Sequence, residues 1–172
     1  MTDGDVAAAA RAVLELCKAK RLKLATAESC TGGLVAAALS DIPGSSLVLD
    51  RAFVTYSNEA KQEMLGVAAA TIERYGAVSL ECAREMAEGA LSRAPVDLAV
   101  AVTGIAGPGG AVPGKPVGLV FFCGVSRSGG HIARRREFGD VGRARVRQAS
   151  VLQALALLEE LAGTETTHRV QD

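Results

Sequence analysis

The run Asp97-Leu98-Ala99-Val100-Ala101-Val102-Thr103 is apolar at every interior position. A strand without a hydrophilic face needs cover on both sides, as the central strands of α/β sheets have. The flanking sequence supplies that cover. Residues 6–18 carry Val6, Ala9, Ala10, Val13, Leu16 and Cys17 at helical spacing. Behind a Ser79 cap, Ala83, Met86, Ala87, Ala90 and Leu91 share one helical face, and residues 146–161 form a long apolar helix. Shorter helices are expected at 31–40, 59–65 and 71–75. Strands are expected at 22–28, 47–56, 117–125 and 131–138, the last bearing charges that suit a sheet edge. Helices alternating with strands specify an α/β sandwich on a mixed sheet. At 172 residues this is a single domain, 1–163, followed by a polar tail, 164–172.

Nineteen basic residues balance nineteen acidic ones, which argues against nucleic acid and acidic membranes as partners. The basic exception is Arg134, Arg135 and Arg136 with Arg143, Arg145 and Arg147. No apolar run reaches the length of a membrane span, and the first residues lack the basic-then-apolar order of a signal peptide. Cys17, Cys30, Cys82 and Cys123 form no CxxC pair, and neither His131 nor His168 neighbours a cysteine. We therefore expect no metal, no cofactor and a reduced, cytoplasmic location.

Chemistry-bearing residues fall in three segments. Residues 23–33 read as strand, Ser/Gly turn and helix start, with Ser29 where free N–H groups gather and the helix dipole is positive. Such a place suits a nucleophile that builds a negative oxygen, and it suits a helix cap equally. No histidine lies near in sequence, so a base for Ser29 has to be Lys, Tyr or a carboxylate. Residues 55–61 offer Tyr56 and Lys61. With Asn58 as N-cap, Lys61 falls in the first helical turn, where dipole and desolvation lower its pKa. A lysine so placed can take a proton, with Tyr56 relaying it or orienting the amine. A solvated Lys61 and a packed Tyr56 are the competing reading. Cys30 is a rival nucleophile, or a small buried residue.

The third segment, Thr103 followed by the glycine-rich 104–110, ends the buried strand, where ligands of α/β sheets gather. It matches neither the phosphate-loop nor the dinucleotide fingerprint. Arg143 and Arg147, four apart, share a helix face that could grip a phosphate or simply face solvent.

Three stretches occur in a telling order: Thr26-Ala27-Glu28-Ser29-Cys30-Thr31-Gly32-Gly33, Val54-Thr55-Tyr56-Ser57-Asn58-Glu59-Ala60-Lys61 and Ala101-Val102-Thr103-Gly104-Ile105-Ala106-Gly107-Pro108-Gly109-Gly110. With Asp41-Ile42-Pro43-Gly44-Ser45-Ser46 and Lys115-Pro116-Val117-Gly118, they resemble the CinA carboxy-terminal domain family over most of the chain. The resemblance implies a three-layer α/β/α fold, commonly homodimeric. It implies hydrolysis of nicotinamide mononucleotide to nicotinic acid mononucleotide and ammonia, in pyridine nucleotide recycling. The family's serine, tyrosine and lysine fall on Ser29, Tyr56 and Lys61. On this reading the turn Cys30, Thr31, Gly32 and Gly33 supplies oxyanion donors, and Thr103, Gly104, Arg143 and Arg147 hold the ribose phosphate. Two departures stand out: Leu80 replaces a usual acidic residue, and 139–143 is longer than the family pattern. Two other readings compete: a non-catalytic nucleotide- or protein-binding module linked to competence and DNA damage, and an amidase for another small amide.

Overall fold

The apolar run lies where its composition sends it. In the computed structural model, which describes residues 3–166, β3 (Leu98–Gly104) is buried up to its last residue and sits mid-sheet. Around it lie β1 (Leu24–Glu28), β2 (Leu49–Val54), β4 (Leu119–Ser126) and β5 (His131–Glu137), in the order β2-β1-β3-β4-β5. β1 runs parallel to β2 and β3, whereas β4 runs antiparallel to both of its neighbours, β3 and β5. The sheet is therefore mixed, and the charged strand β5 is an edge.

Alternation along β3 assigns the two faces. Leu98, Val100 and Val102 pack into a large cluster with residues of α1 (Asp3–Lys20), α2 (Leu34–Ser40) and α6 (Arg143–Thr164), among them Leu14, Val35 and Leu155. Ala99 and Ala101 face the other way, onto Met86, Ala87 and Ala90 of α5 (Leu80–Arg93). With α3 (Asn58–Leu65) and α4 (Ala69–Tyr75), this completes three layers.

Small residues set the approach of α3 to α5. A Cβ on Gly89 of α5 would lie 2.0 Å from the carbonyl oxygen of Leu65, the last residue of α3. That same carbonyl accepts a hydrogen bond from Arg93 Nη1 at 2.8 Å. Gly89→Ala should therefore push α3 outward, costing roughly 1–3 kcal/mol by overpacking. Urea unfolding checks the stability, and a displaced α3 should lower any activity that depends on Lys61 as well.

Several expected boundaries move, most by one to three residues, and two of the moves bear on the site and the tail. The helix expected at 31–40 begins at Leu34, because Gly32 and Gly33 take φ of +60° and +94° and form a turn instead. The final helix runs on to Thr164, so the expected tail starts inside it; residues 167–172, His168 included, lie outside the described residues. Lys20 Nζ donates to the carbonyls of Ala162 and Gly163, both at 2.8 Å, and satisfies that helix end.

Candidate active site

Ser29 follows β1 and Lys61 lies on the helix that follows β2, so two paired parallel strands deliver them to one end of the sheet. Lys61 Nζ is 3.0 Å from Ser29 Oγ. The lysine is 1% exposed and the serine 9%, so the pair is roofed but reachable at the serine. Ser57 is the N-cap of α3, its Oγ accepting from Ala60 N at 3.0 Å. The expected cap, Asn58, is instead the first helical residue. Lys61 still falls in the first turn, and its backbone N–H donates to Ser57 O.

Around the Lys61 amine stand the carbonyls of Thr55 at 2.9 Å, and of Tyr56 and Ser57 at 3.4 Å each. A neutral amine has two N–H donors and one lone pair. If carbonyls take the donors, the lone pair faces the serine hydroxyl. Burial lowers the pKa of Lys61, opposed by the nearby Cys82, Cys30 and Glu59. The neutral amine that a base requires is thereby favoured. Thr55 contributes through its backbone, its buried hydroxyl having no hydrogen-bond partner.

The turn after β1 is held from below by Glu28. Its fully buried carboxylate accepts from the N–H groups of Gly33 and Val35 at 3.0 Å, from Ala36 at 2.9 Å and from Thr26 Oγ1 at 3.1 Å. It thus caps α2 from five residues upstream of Gly33. Gly32 N–H closes the turn on Ser29 O at 3.0 Å, and Ser29 N–H donates to Val102 O. Gly32 and Gly33 are consequently not the free donors that the sequence suggests. Among the described residues, the turn N–H groups without a backbone or carboxylate acceptor are those of Cys30, which has its own side-chain sulfur beside it, and Thr31.

Tyr56 is 59% exposed, and its phenol oxygen accepts from Arg143 Nη2 at 2.7 Å. Its hydrogen-bond link to Lys61 runs through its carbonyl, not its hydroxyl. Arg143 also donates from Nη1 to Gly107 O at 3.0 Å, so it ties the glycine-rich loop to Tyr56 across the mouth of the site. Arg147 turns elsewhere, with Nε 3.2 Å from Cys30 O and Nη2 2.8 Å from Thr31 O. Thr103 is buried and donates its hydroxyl to Ala77 O at 2.7 Å. Gly104 is required by strand packing, since a Cβ there would meet Leu119 O at 2.8 Å. Cys30 is buried, and desolvation pushes its thiol pKa up to about 12, so it holds almost no thiolate near neutrality.

Comparison with known proteins matches residues 6–162 to the CinA C-terminal domain. The chain belongs to this family. It is 46% identical over 159 residues to the nicotinamide-nucleotide amidohydrolase PncC of Escherichia coli K12, covering 92% of this chain and 95% of that protein. It is 45% identical over 148 residues to a putative competence-damage inducible protein of Caldicellulosiruptor saccharolyticus. That match covers 86% of this chain but only 36% of the longer protein. Among solved structures, the competence/damage inducible protein CihA of Agrobacterium tumefaciens superimposes with a TM-score of 0.90 at 49% identity, covering 91% of this chain and 95% of that one.

Within this CinA C-terminal domain, no group of three or more His, Cys, Asp or Glu among the described residues is placed to hold a metal. All four cysteines are buried and unpaired. No described helix is long and apolar enough to cross a membrane. A cavity of about 480 Å³ lies between α1, α2 and α6, walled by Leu34, Ala37, Asp41, Arg147 and Val151 among others. Neither Ser29, Lys61 nor Tyr56 lines it, so chemistry rather than volume locates the site. The sequence left the role of Glu28 open and did not mark Gly89. Only the spacing of Glu28 ahead of a Gly-Gly turn could have pointed to a cap.

Proposed function

We propose that this chain is a nicotinamide-nucleotide amidohydrolase that converts nicotinamide mononucleotide to nicotinic acid mononucleotide and ammonia. The observation that carries the reading is the buried Lys61 amine 3.0 Å from Ser29 Oγ, with two N–H groups that have no backbone acceptor beside the serine. The Escherichia coli relative, a nicotinamide-nucleotide amidohydrolase by name, supports the substrate class.

In this mechanism neutral Lys61 takes the Ser29 proton as Oγ attacks the carboxamide carbon. The carbonyl electron pair moves to oxygen, where the Cys30 and Thr31 N–H groups receive it. The Lys61 ammonium then returns the proton to the leaving nitrogen, and ammonia departs. Water, deprotonated by the same amine, attacks the acyl-serine; the acid is released and Ser29 regains its proton. Tyr56 frames the mouth and anchors Lys61 by its carbonyl. Arg143, exposed beside the glycine-rich loop, binds the phosphate. A cytoplasmic homodimer acting in pyridine nucleotide recycling belongs to the same reading.

The test is ammonia release, with product identification, from nicotinamide mononucleotide, nicotinamide and a panel of small amides. Turnover of the nucleotide far above that of nicotinamide is expected, because only the nucleotide offers Arg143 a phosphate. Turnover of another amide with none of the nucleotide would sink the substrate assignment. Salt-dependent DNA retention without any amidase activity would favour the non-catalytic module instead.

A further inference from the structure

Arg147 shares a helix face with Arg143, yet its guanidinium meets a different kind of partner. Two of its N–H groups lie on the carbonyls of Cys30 and Thr31, 3.2 and 2.8 Å away. The peptide joining Cys30 to Thr31 is planar and trans, so its C=O and N–H point in opposite directions. A guanidinium holding Cys30 O on one side therefore aims Thr31 N–H to the other. The preceding peptide is constrained in the same manner, because Ser29 O accepts from Gly32 N–H and Cys30 N–H must point away from that bond. The two N–H groups without backbone acceptors are thus the far ends of two peptide units whose carbonyls are tethered. One tether is local backbone. The other is a side chain 117 residues distant in sequence. Thr31 O has a second, longer donor in Leu34 N–H at 3.3 Å, whereas Cys30 O accepts from Arg147.

We infer that Arg147 is a positioning residue, fixing the orientation of the Thr31 N–H group as an oxyanion donor through its bond to Cys30 O, and does not read the substrate phosphate. The inference rests on the reading of Ser29 as nucleophile. It predicts that Arg147 matters equally to a substrate that has no phosphate. Losing one oxyanion donor typically costs roughly 10²–10³ in rate, and misplacing one costs somewhat less.

The experiment is pre-steady-state acylation of Ser29 by 4-nitrophenyl acetate, an ester without phosphate, in the wild type, Arg147→Ala and Arg145→Ala. Arg145 is exposed on the same helix and serves as the control. Acylation should slow roughly 30- to 300-fold in Arg147→Ala, stay unchanged in Arg145→Ala, and recover in part when millimolar guanidinium is added. Arg147→Gln, which keeps one donor, supplies the same readout if the alanine variant fails to fold. An unchanged acylation rate in a folded Arg147 variant, with only KM for the nucleotide raised, would overturn the inference and return Arg147 to the phosphate. Failure of the wild type to deamidate the nucleotide would overturn the substrate reading alone, since the ester acylates the same serine.

Discussion

Ser29→Ala should abolish amide turnover, with a loss of roughly 10⁴-fold or more in kcat and a fold that survives. The alanine keeps the turn intact, because the turn is held by Gly32 N–H on Ser29 O and by Ser29 N–H on Val102 O, both backbone bonds. What disappears is the oxygen 3.0 Å from Lys61 Nζ. Substrate affinity should change little if, as proposed, Arg143 holds the phosphate. The companion variant Cys30→Ala separates the two nucleophile candidates. Its thiol is desolvated and its pKa raised to about 12, so removing it should leave turnover within a few-fold of wild type. Turnover retained by Ser29→Ala and lost by Cys30→Ala would hand the reaction to the thiol.

Lys61→Met should cost roughly 10³-fold or more in kcat and also change how stability depends on pH. The sign follows from the direction of the shift. Burial holds the folded-state pKa of Lys61 below its ordinary 10.5. Between that lowered value and 10.5 the unfolded chain binds a proton that the folded chain does not, so wild-type stability rises with pH through this window. Below the window the folded state carries a buried ammonium, and the contribution is at its least favourable. Methionine does not titrate, so the variant should lose this rise. Urea unfolding of both proteins across the alkaline range measures the difference, which removes the groups they share. In the wild type kcat/KM should climb with pH through the same lowered pKa, as the amine becomes a base. Identical stability profiles for the two proteins would mean that Lys61 titrates as if solvated.

Most of the layer order was legible in the sequence because burial on two faces leaves a periodic trace. The unbroken apolar run of β3 and the apolar stripe of α5 needed no tertiary knowledge. For Ser29 and Lys61 the residues alone left the base open among Lys, Tyr and a carboxylate, and the family resemblance singled out the pair. Where the reading slipped, the deciding contact was long-range or lay in the backbone. Ser57 and Asn58 are both good caps, and only the Ser57 hydroxyl on Ala60 N–H separates them. The i, i+4 spacing of Arg143 and Arg147 says that they share a face, but not that one meets a phenol and a loop while the other meets two turn carbonyls. Thr103 sits at the strand end where ligands gather, yet its hydroxyl is donated to Ala77, a partner 26 residues away. Glu28 reads equally as a group that orients Lys61 or the turn and as a buried structural carboxylate, until the chain folds back and presents three N–H groups to it.

One backbone bond has a kinetic meaning. Thr55 N–H donates to Glu28 O at 2.9 Å, extending the β1–β2 pairing by one rung beyond the Glu28–Val54 register. The residue that accepts immediately precedes the serine, and the residue that donates presents its carbonyl to the lysine amine. Serine and lysine are therefore joined through a rung of the sheet itself. Nothing has to close to assemble them. On heating, activity and sheet structure should vanish over the same interval, with no folded but inactive form between.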